Sequence, residues 1–150
     1  MTETGTDEIF FRLRELVFRS GVPHTIHEHR ETRTIDDAAR NLSFPVDRIV
    51  KTIAFRTRRV DYARLAAQAG VNRRDLSSLS PREVRVLIGV EPGSVSPVMP
   101  LDGAELFIDD DVLAITPTLY CGFGRPDRTL EMAAADLVRL TSGRVATFSR

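Results

Sequence analysis

The chain reads as an α+β protein with a mixed sheet. Short strand-like segments alternate irregularly with short helix-like ones, and no repeating βαβ spacing appears along the 150 residues. The length fits one domain, 1–150, with residues 1–6 a flexible terminus and no room for a second core of ordinary size. A composition of 42% hydrophobic and 28% charged residues, with 9 Gly, 8 Pro and one cysteine, excludes a disordered chain, a collagen-like chain and a disulfide scaffold.

The elements follow in order. Ile9, Phe10, Leu13, Leu16 and Val17 make the one-sided stripe of an amphipathic helix over Asp7–Ser20, stopped by Gly21 with Pro23 just beyond. Residues 24–29 are extended. Thr34 with Asp37 three residues on reads as a capped start of a helix through Ala38, Ala39 and Leu42 that ends before Pro45. Arg48–Phe55 is β-branched and aromatic, hence a strand, with Arg56–Arg59 as a turn and Val60–Ala67 as its hairpin partner. Ser80-Pro81-Arg82-Glu83 combines a cap, a proline in the first turn and a glutamate that reaches back; Gly89 and Pro92 close that helix early. Gly93–Gly103 is an ordered loop. Ala104–Asp109, Thr118–Gly122, Arg128–Met132 and Arg144–Phe148 read as strands, and Ala134–Leu140 as a helix.

Charge is balanced overall, 21 basic against 21 acidic side chains, which argues against a protein that coats nucleic acid without specificity. The basic half is lopsided, with Lys51 the only lysine among twenty arginines. The distribution is uneven too: residues 1–75 carry 14 basic and 11 acidic side chains, and residues 76–150 carry 7 and 10. Arg56, Arg58 and Arg59 follow the lysine strand and fit either a few phosphates or a solvated hairpin tip. A polar, acidic start without a basic-then-apolar stretch, and no apolar run of about 20 residues, lead to an expectation of a cytoplasmic protein without a membrane span.

Three places can carry chemistry. Lys51 lies in a strand whose two faces are both largely apolar. It therefore either reaches an edge or pairs with a carboxylate such as Asp109 or Glu131, or it points into a pocket where a compact ammonium does what a flat guanidinium cannot. The loop Gly93-Ser94-Val95-Ser96-Pro97 is either an ordinary turn or a nest of backbone N–H groups for an anion or oxyanion. Gly122-Phe123-Gly124 either admits a ligand close to the backbone or makes a bulge, and it opens no helix of a dinucleotide-binding unit. His24, His27 and His29 do not form a three-ligand set, since in a strand His24 faces away from the other two. Asp109-Asp110-Asp111 lacks the spacing of a calcium loop and reads as a solvated turn with a helix cap, so no metal or cofactor is called for. Cys121 has neither a base nor a cationic neighbour in sequence and reads as a small buried residue.

Taken in order, several segments resemble the YbaK/ProX-type aminoacyl-tRNA deacylases, relatives of the editing domain of bacterial prolyl-tRNA synthetases. They are Glu28-His29 with Thr34-Ile35-Asp36-Asp37-Ala38-Ala39; Ile49-Val50-Lys51-Thr52-Ile53-Ala54-Phe55; Ser80-Pro81-Arg82-Glu83-Val84; Gly89-Val90-Glu91-Pro92-Gly93-Ser94-Val95-Ser96-Pro97; and Tyr120, Gly122, Gly124 and Leu130–Leu137. The resemblance implies a compact mixed β-sheet, barrel-like and flanked by short helices, and a freestanding hydrolase that cleaves the ester of mischarged tRNA with neither a metal nor a protein nucleophile. It implies Lys51 as the key active-site residue and Gly93–Pro97 as the pocket loop. His29, Thr34, Gly122 and Gly124 would lie on the rim, and Arg56, Arg58 and Arg59 would touch tRNA phosphates. The partner it implies is the acceptor end of a mischarged tRNA, with or without a synthetase, and neither DNA nor a membrane. Val98-Met99-Pro100 follows the loop where relatives commonly continue with an apolar residue and glycine, and Arg30 and Glu31 stand where many carry prolines; no particular amino acid is therefore implied. The other readings are a non-catalytic tRNA-end-binding or synthetase-associated adaptor of the same fold, and a hydrolase that uses Cys121.

Overall fold

A computed structural model describes residues 2–32, 44–52, 55–57, 76–98 and 105–146. Helix α1 spans Thr2–Ser20 and ends at Gly21, whose φ of +75° is the left-handed conformation that glycine adopts without steric cost. Strand β1 is His24–Glu28. A short 3-10 turn, Val46–Arg48, leads into β2, Ile49–Val50. Strands β3, Phe55–Thr57, and β4, Leu76–Ser78, pair antiparallel. Helix α2, Pro81–Glu83, carries the expected capping box: Ser80 Oγ accepts from Glu83 N–H while the Glu83 carboxylate accepts from Ser80 N–H. It runs on as a π-helical turn, Val84–Ile88, and stops at left-handed Gly89. Strands β5, Phe107–Asp109, and β8, Arg144–Ala146, pair in parallel; between them lie β6, Leu119–Gly122, β7, Arg128–Met132, and helix α3, Ala134–Thr141.

The central sheet has the order β1-β7-β6-β2, antiparallel except for the parallel edge pair of β6 with β2. It is mixed, as expected, and the described strands form one four-stranded and two two-stranded sheets rather than a closed barrel. Alternation along each strand sends Ile26, Val50, Leu119, Cys121, Leu130 and Met132 to one face. There they join Phe10, Leu13 and Val17 of α1 and Leu137 of α3 in the core. Leu13, Val17, Leu119 and Leu130 are wholly buried, and each such side chain contributes about 1.5–3 kcal/mol of transfer free energy.

Three expectations need correction. The lysine strand is not continuous over Arg48–Phe55: ladder pairing stops at Val50, and residues 51 and 52 lie outside any strand. Arg56 is not in a turn but in β3, opposite Ser77, and the hairpin partner of β3 is Leu76–Ser78. The three differences have one cause, since strand extent is set by the neighbour available for pairing, which residue type does not reveal. The expected helix from Thr34, Val60–Ala67, and the residues Thr34, Arg58 and Arg59 lie outside the described residues.

Candidate active site

The other face of the central sheet is polar and aromatic. The register aligns Thr25, Glu131, Tyr120 and Ile49 in one row, and His27, Thr129 and Gly122 in the next. Lys51 follows Val50, which pairs with Cys121, so extending the parallel register by one residue sets Lys51 alongside Gly122 in that second row. Lys51 is exposed, not sandwiched between apolar layers. It is not the partner of Glu131 either, because that carboxylate is engaged by other groups. The parallel pairing of β2 with β6 thus ends at the lysine.

Gly122 explains how the pocket loop reaches this row. A Cβ built there would lie 2.6 Å from the Val95 carbonyl oxygen and 3.2 Å from the Ser94 carbonyl carbon, so only glycine lets the loop backbone lie on the strand. Gly124 N–H donates to the Ser94 carbonyl (2.8 Å) and fixes the contact from the strand side. Gly124 itself, with φ +84°, turns toward Leu13 and Phe10 of α1. Pro92–Ser94 is a 3-10 turn, Ser94–Val98 is buried and Gly93 is exposed. The Ser94 N–H donates to the Glu91 carbonyl (2.8 Å), which removes it from the expected nest of N–H groups.

Two buried hydroxyls, Thr52 Oγ1 and Ser94 Oγ, have no hydrogen-bond partner. One is adjacent in sequence to Lys51 and the other belongs to the loop lying on Gly122. Orphaned buried polar groups cost about 1–3 kcal/mol each and are rare outside functional or strained places.

Sequence reasoning missed most of the network around Glu131 on this face. His27 Nε2 donates to Glu131 Oε1 (2.7 Å), and Thr118 Oγ1 donates to Glu131 Oε2. Arg48 reaches the same oxygen at 3.6 Å, donates from Nε to the Thr118 carbonyl (2.7 Å), bonds Thr118 Oγ1 through Nη2, and lies 5.0 Å over the Tyr120 ring. Phe44 stacks on Tyr120 with centroids 4.4 Å apart, and His27 lies 5.1 Å from Phe44. The hydrogen bonds from Thr118 and then His27, with the charges of His27 and Arg48, hold the Glu131 carboxyl below its ordinary range. His29 Nδ1 donates to the Arg30 carbonyl (2.6 Å), leaving Nε2 to accept from Thr129 Oγ1 (2.8 Å). His24 is turned away and bonds the Val22 carbonyl (2.8 Å). The only signal in sequence was alternation: His27 follows Ile26, Tyr120 lies between Leu119 and Cys121, and Thr129 and Glu131 flank Leu130.

Among the described residues, Asp109, Asp110 and Asp111 are the one group whose side-chain oxygens lie close enough together to share an ion; Asp109 begins a 3-10 turn, Asp110–Ala114, without capping it through its side chain. Cys121 is buried in β6, and desolvation pushes its thiol up to about 12, which removes it as a nucleophile at neutral pH.

A four-stranded mixed sheet with one apolar face under α1 and one polar face under a glycine-bound loop defines the class, a small α+β domain with an open site at the sheet edge. The chain belongs to the aminoacyl-tRNA editing domain family, whose model matches residues 29–140. Among solved structures it is similar to the hypothetical protein APE2540 (TM-score 0.80, 25% identity, 92% of this chain and 99% of that one). It is also similar to a scaffold protein used to present linear epitopes by computational backbone grafting (TM-score 0.75, 25% identity, 94% and 96%). A protein provisionally assigned as a trans-editing enzyme for prolyl tRNA synthetase shares the fold (TM-score 0.76, 24% identity, 97% and 97%). No curated protein shows significant similarity to the chain.

Proposed function

We infer that this chain is a freestanding, single-domain, cytoplasmic deacylase that hydrolyses the ester of a mischarged tRNA. The observation that carries the reading is the meeting, within the family-matched segment, of the end of β2 at exposed Lys51 with Gly122 and the Ser94–Val95 backbone. An editing domain has to admit the unpaired acceptor end, hold the terminal ribose and present the aminoacyl carbonyl to water. Lys51 offers three donors on a flexible stem to the terminal nucleotide or to charge developing on the carbonyl oxygen. Gly93–Pro97 walls the aminoacyl side, and His29 and Gly122 line the rim. Thr34 belongs to the same reading, with Arg56, Arg58 and Arg59 as phosphate contacts. In the reaction, water oxygen adds to the ester carbonyl carbon, the C–O bond to the ribose breaks, and the ribose oxygen leaves with the proton that water gave up. No cofactor enters this scheme.

The test is amino acid release from a panel of mischarged tRNAs, with tRNA for proline among them. Wild type turns over at least one member, and Lys51→Ala lowers kcat/KM by roughly 10²–10³-fold, the usual loss when one electrostatic donor is removed. Absence of turnover on every member refutes the deacylase. A non-catalytic adaptor for the tRNA end instead predicts binding that survives Lys51→Ala and no release.

A further inference from the structure

We propose that Arg48 is a positioning residue for the editing reaction, the clip that sets the register of β2 and so seats Lys51 beside Gly122. This rests on the deacylase reading and names the side chain on which its central group depends. Strand β2 has only two ladder residues, Ile49 opposite Tyr120 and Val50 opposite Cys121. They lie at the edge of the sheet and pair in parallel, the less stable arrangement per residue. So short a ladder specifies register weakly, and Lys51 is the residue just beyond it.

The core excludes only some of the possible slips. Val50 packs against it, so a slip by one residue would turn Val50 out and Lys51 in. A slip by two leaves every side chain on its own face. It would carry Lys51 roughly 6.6 Å along the sheet, at about 3.3 Å per residue, to the level of Tyr120 or past the end of β6.

Arg48 opposes that slip. Its Nε donates to the Thr118 carbonyl (2.7 Å), its Nη2 bonds Thr118 Oγ1 and lies 3.6 Å from Glu131 Oε2, and its guanidinium sits 5.0 Å over the Tyr120 ring. Arg48 and Val50 are two positions apart, yet one serves the polar face and the other the core. The 3-10 turn Val46–Arg48 permits this, with Arg48 N–H held by the Pro45 carbonyl (3.0 Å) and Ile49 N–H by that of Val46. The tie then crosses the sheet: the Thr118 hydroxyl, just before β6, donates to Glu131 of β7, whose other oxygen accepts from His27 of β1. One guanidinium thus links the edge strand to its three companions. Its rigid fork fits the carbonyl and hydroxyl of a single threonine, so a slip by two forfeits all of these bonds together.

The experiment has two readouts. Cross-strand nuclear Overhauser contacts between β2 and β6 report register without reference to activity. In Arg48→Ala the Ile49–Tyr120 and Val50–Cys121 contacts are lost or move by two residues, while those of β1 with β7 and of β6 with β7 stay. A double-mutant cycle with Lys51→Ala, read as kcat/KM on the panel member with the highest turnover, reports what the register does for the reaction. Arg48→Ala alone lowers kcat/KM by roughly 10–10²-fold, the loss that follows a misplaced group, and in the Lys51→Ala background it has no further effect. Losses that multiply in the double variant make Arg48 a general stabiliser and overturn the proposal, as do unchanged β2–β6 contacts in Arg48→Ala; both results leave the deacylase reading standing. A wild type without turnover on any tRNA overturns both. If Arg48→Ala does not fold, Arg48→Met, which keeps the stem and removes every donor, is read in the same two ways.

Discussion

Lys51 and Asp127 show how differently charge is handled at two residues of one chain. Asp127 is clasped: Arg125 donates twice to its carboxylate (2.8 and 3.1 Å) and Arg128 lies at 3.0 Å. The Arg125 hydrogen bond first, and the charges of Arg128 and Arg125 after it, hold this carboxyl below its ordinary range. The folded pKa is the lower one, so the clasp stabilises above the ordinary carboxylate pKa of about 3.9 and its contribution fades as pH falls through the folded value. Asp127→Asn is therefore expected to lower stability by about 1 kcal/mol at pH 7, with the difference from wild type vanishing in strong acid; urea melts at pH 7 and near pH 2.5 measure this. Lys51, by contrast, has no carboxylate on it among the described residues and stands at a strand end. Among the described residues, arginines build clasps and stacks such as Arg48 on Tyr120, whereas the one lysine is an exposed, compact charge on a flexible stem.

At the level of elements, the decisive contact is between a strand and a loop. Gly122 lies in β6 with an ordinary extended backbone, so its need for glycine comes from the Val95 carbonyl 2.6 Å from where a Cβ would sit. Backbone atoms cannot swing aside as a side-chain tip does. Gly122→Ala is expected to cost about 1–3 kcal/mol and to lower deacylation together with Tm, since it pushes the Ser94–Val95 segment off the row; differential scanning calorimetry and the release assay read the two effects. The capping box of α2 and the full length of β7 were legible because their signals are local, in Ser80 with Glu83 and in the period-2 pattern of Arg128–Met132. The early end of the lysine strand was not legible. Ile49–Phe55 has β-branched residues at four of its seven positions, yet pairing with β6 covers only Ile49 and Val50.

Across the whole molecule, one sheet serves two purposes through its two faces. Leu13 sits at the centre of the apolar side, wholly buried and 3.0 Å from the Cβ position of Gly124, whose N–H anchors the pocket loop. Leu13→Ala is expected to destabilise by about 2–5 kcal/mol, at about 2–4 °C in Tm per kcal/mol for a chain of this size, and to leave kcat of the folded fraction near that of wild type, because the cavity opens on the face away from the site. Thermal melting paired with active-site titration separates the two. Among the described residues no helix is long and apolar enough to cross a membrane, and α1 spends its apolar stripe on the sheet.

The residues taken alone determined the α+β class, the amphipathic α1 and the capped α2, and singled out Lys51 and Gly93–Pro97 as candidates, because helix periodicity, caps and motif order are written within a few neighbours along the chain. Tertiary structure alone decided which groups meet. It cut the lysine strand short, exposed Lys51 and spent the Ser94 N–H on Glu91. It also brought His27, Arg48, Thr118, Tyr120 and Glu131, separated by up to 104 positions, onto one face. The physical reason is that strand register is a long-range choice, made by the core on the opposite face. A shift by one residue would turn His27 and Glu131 into that core.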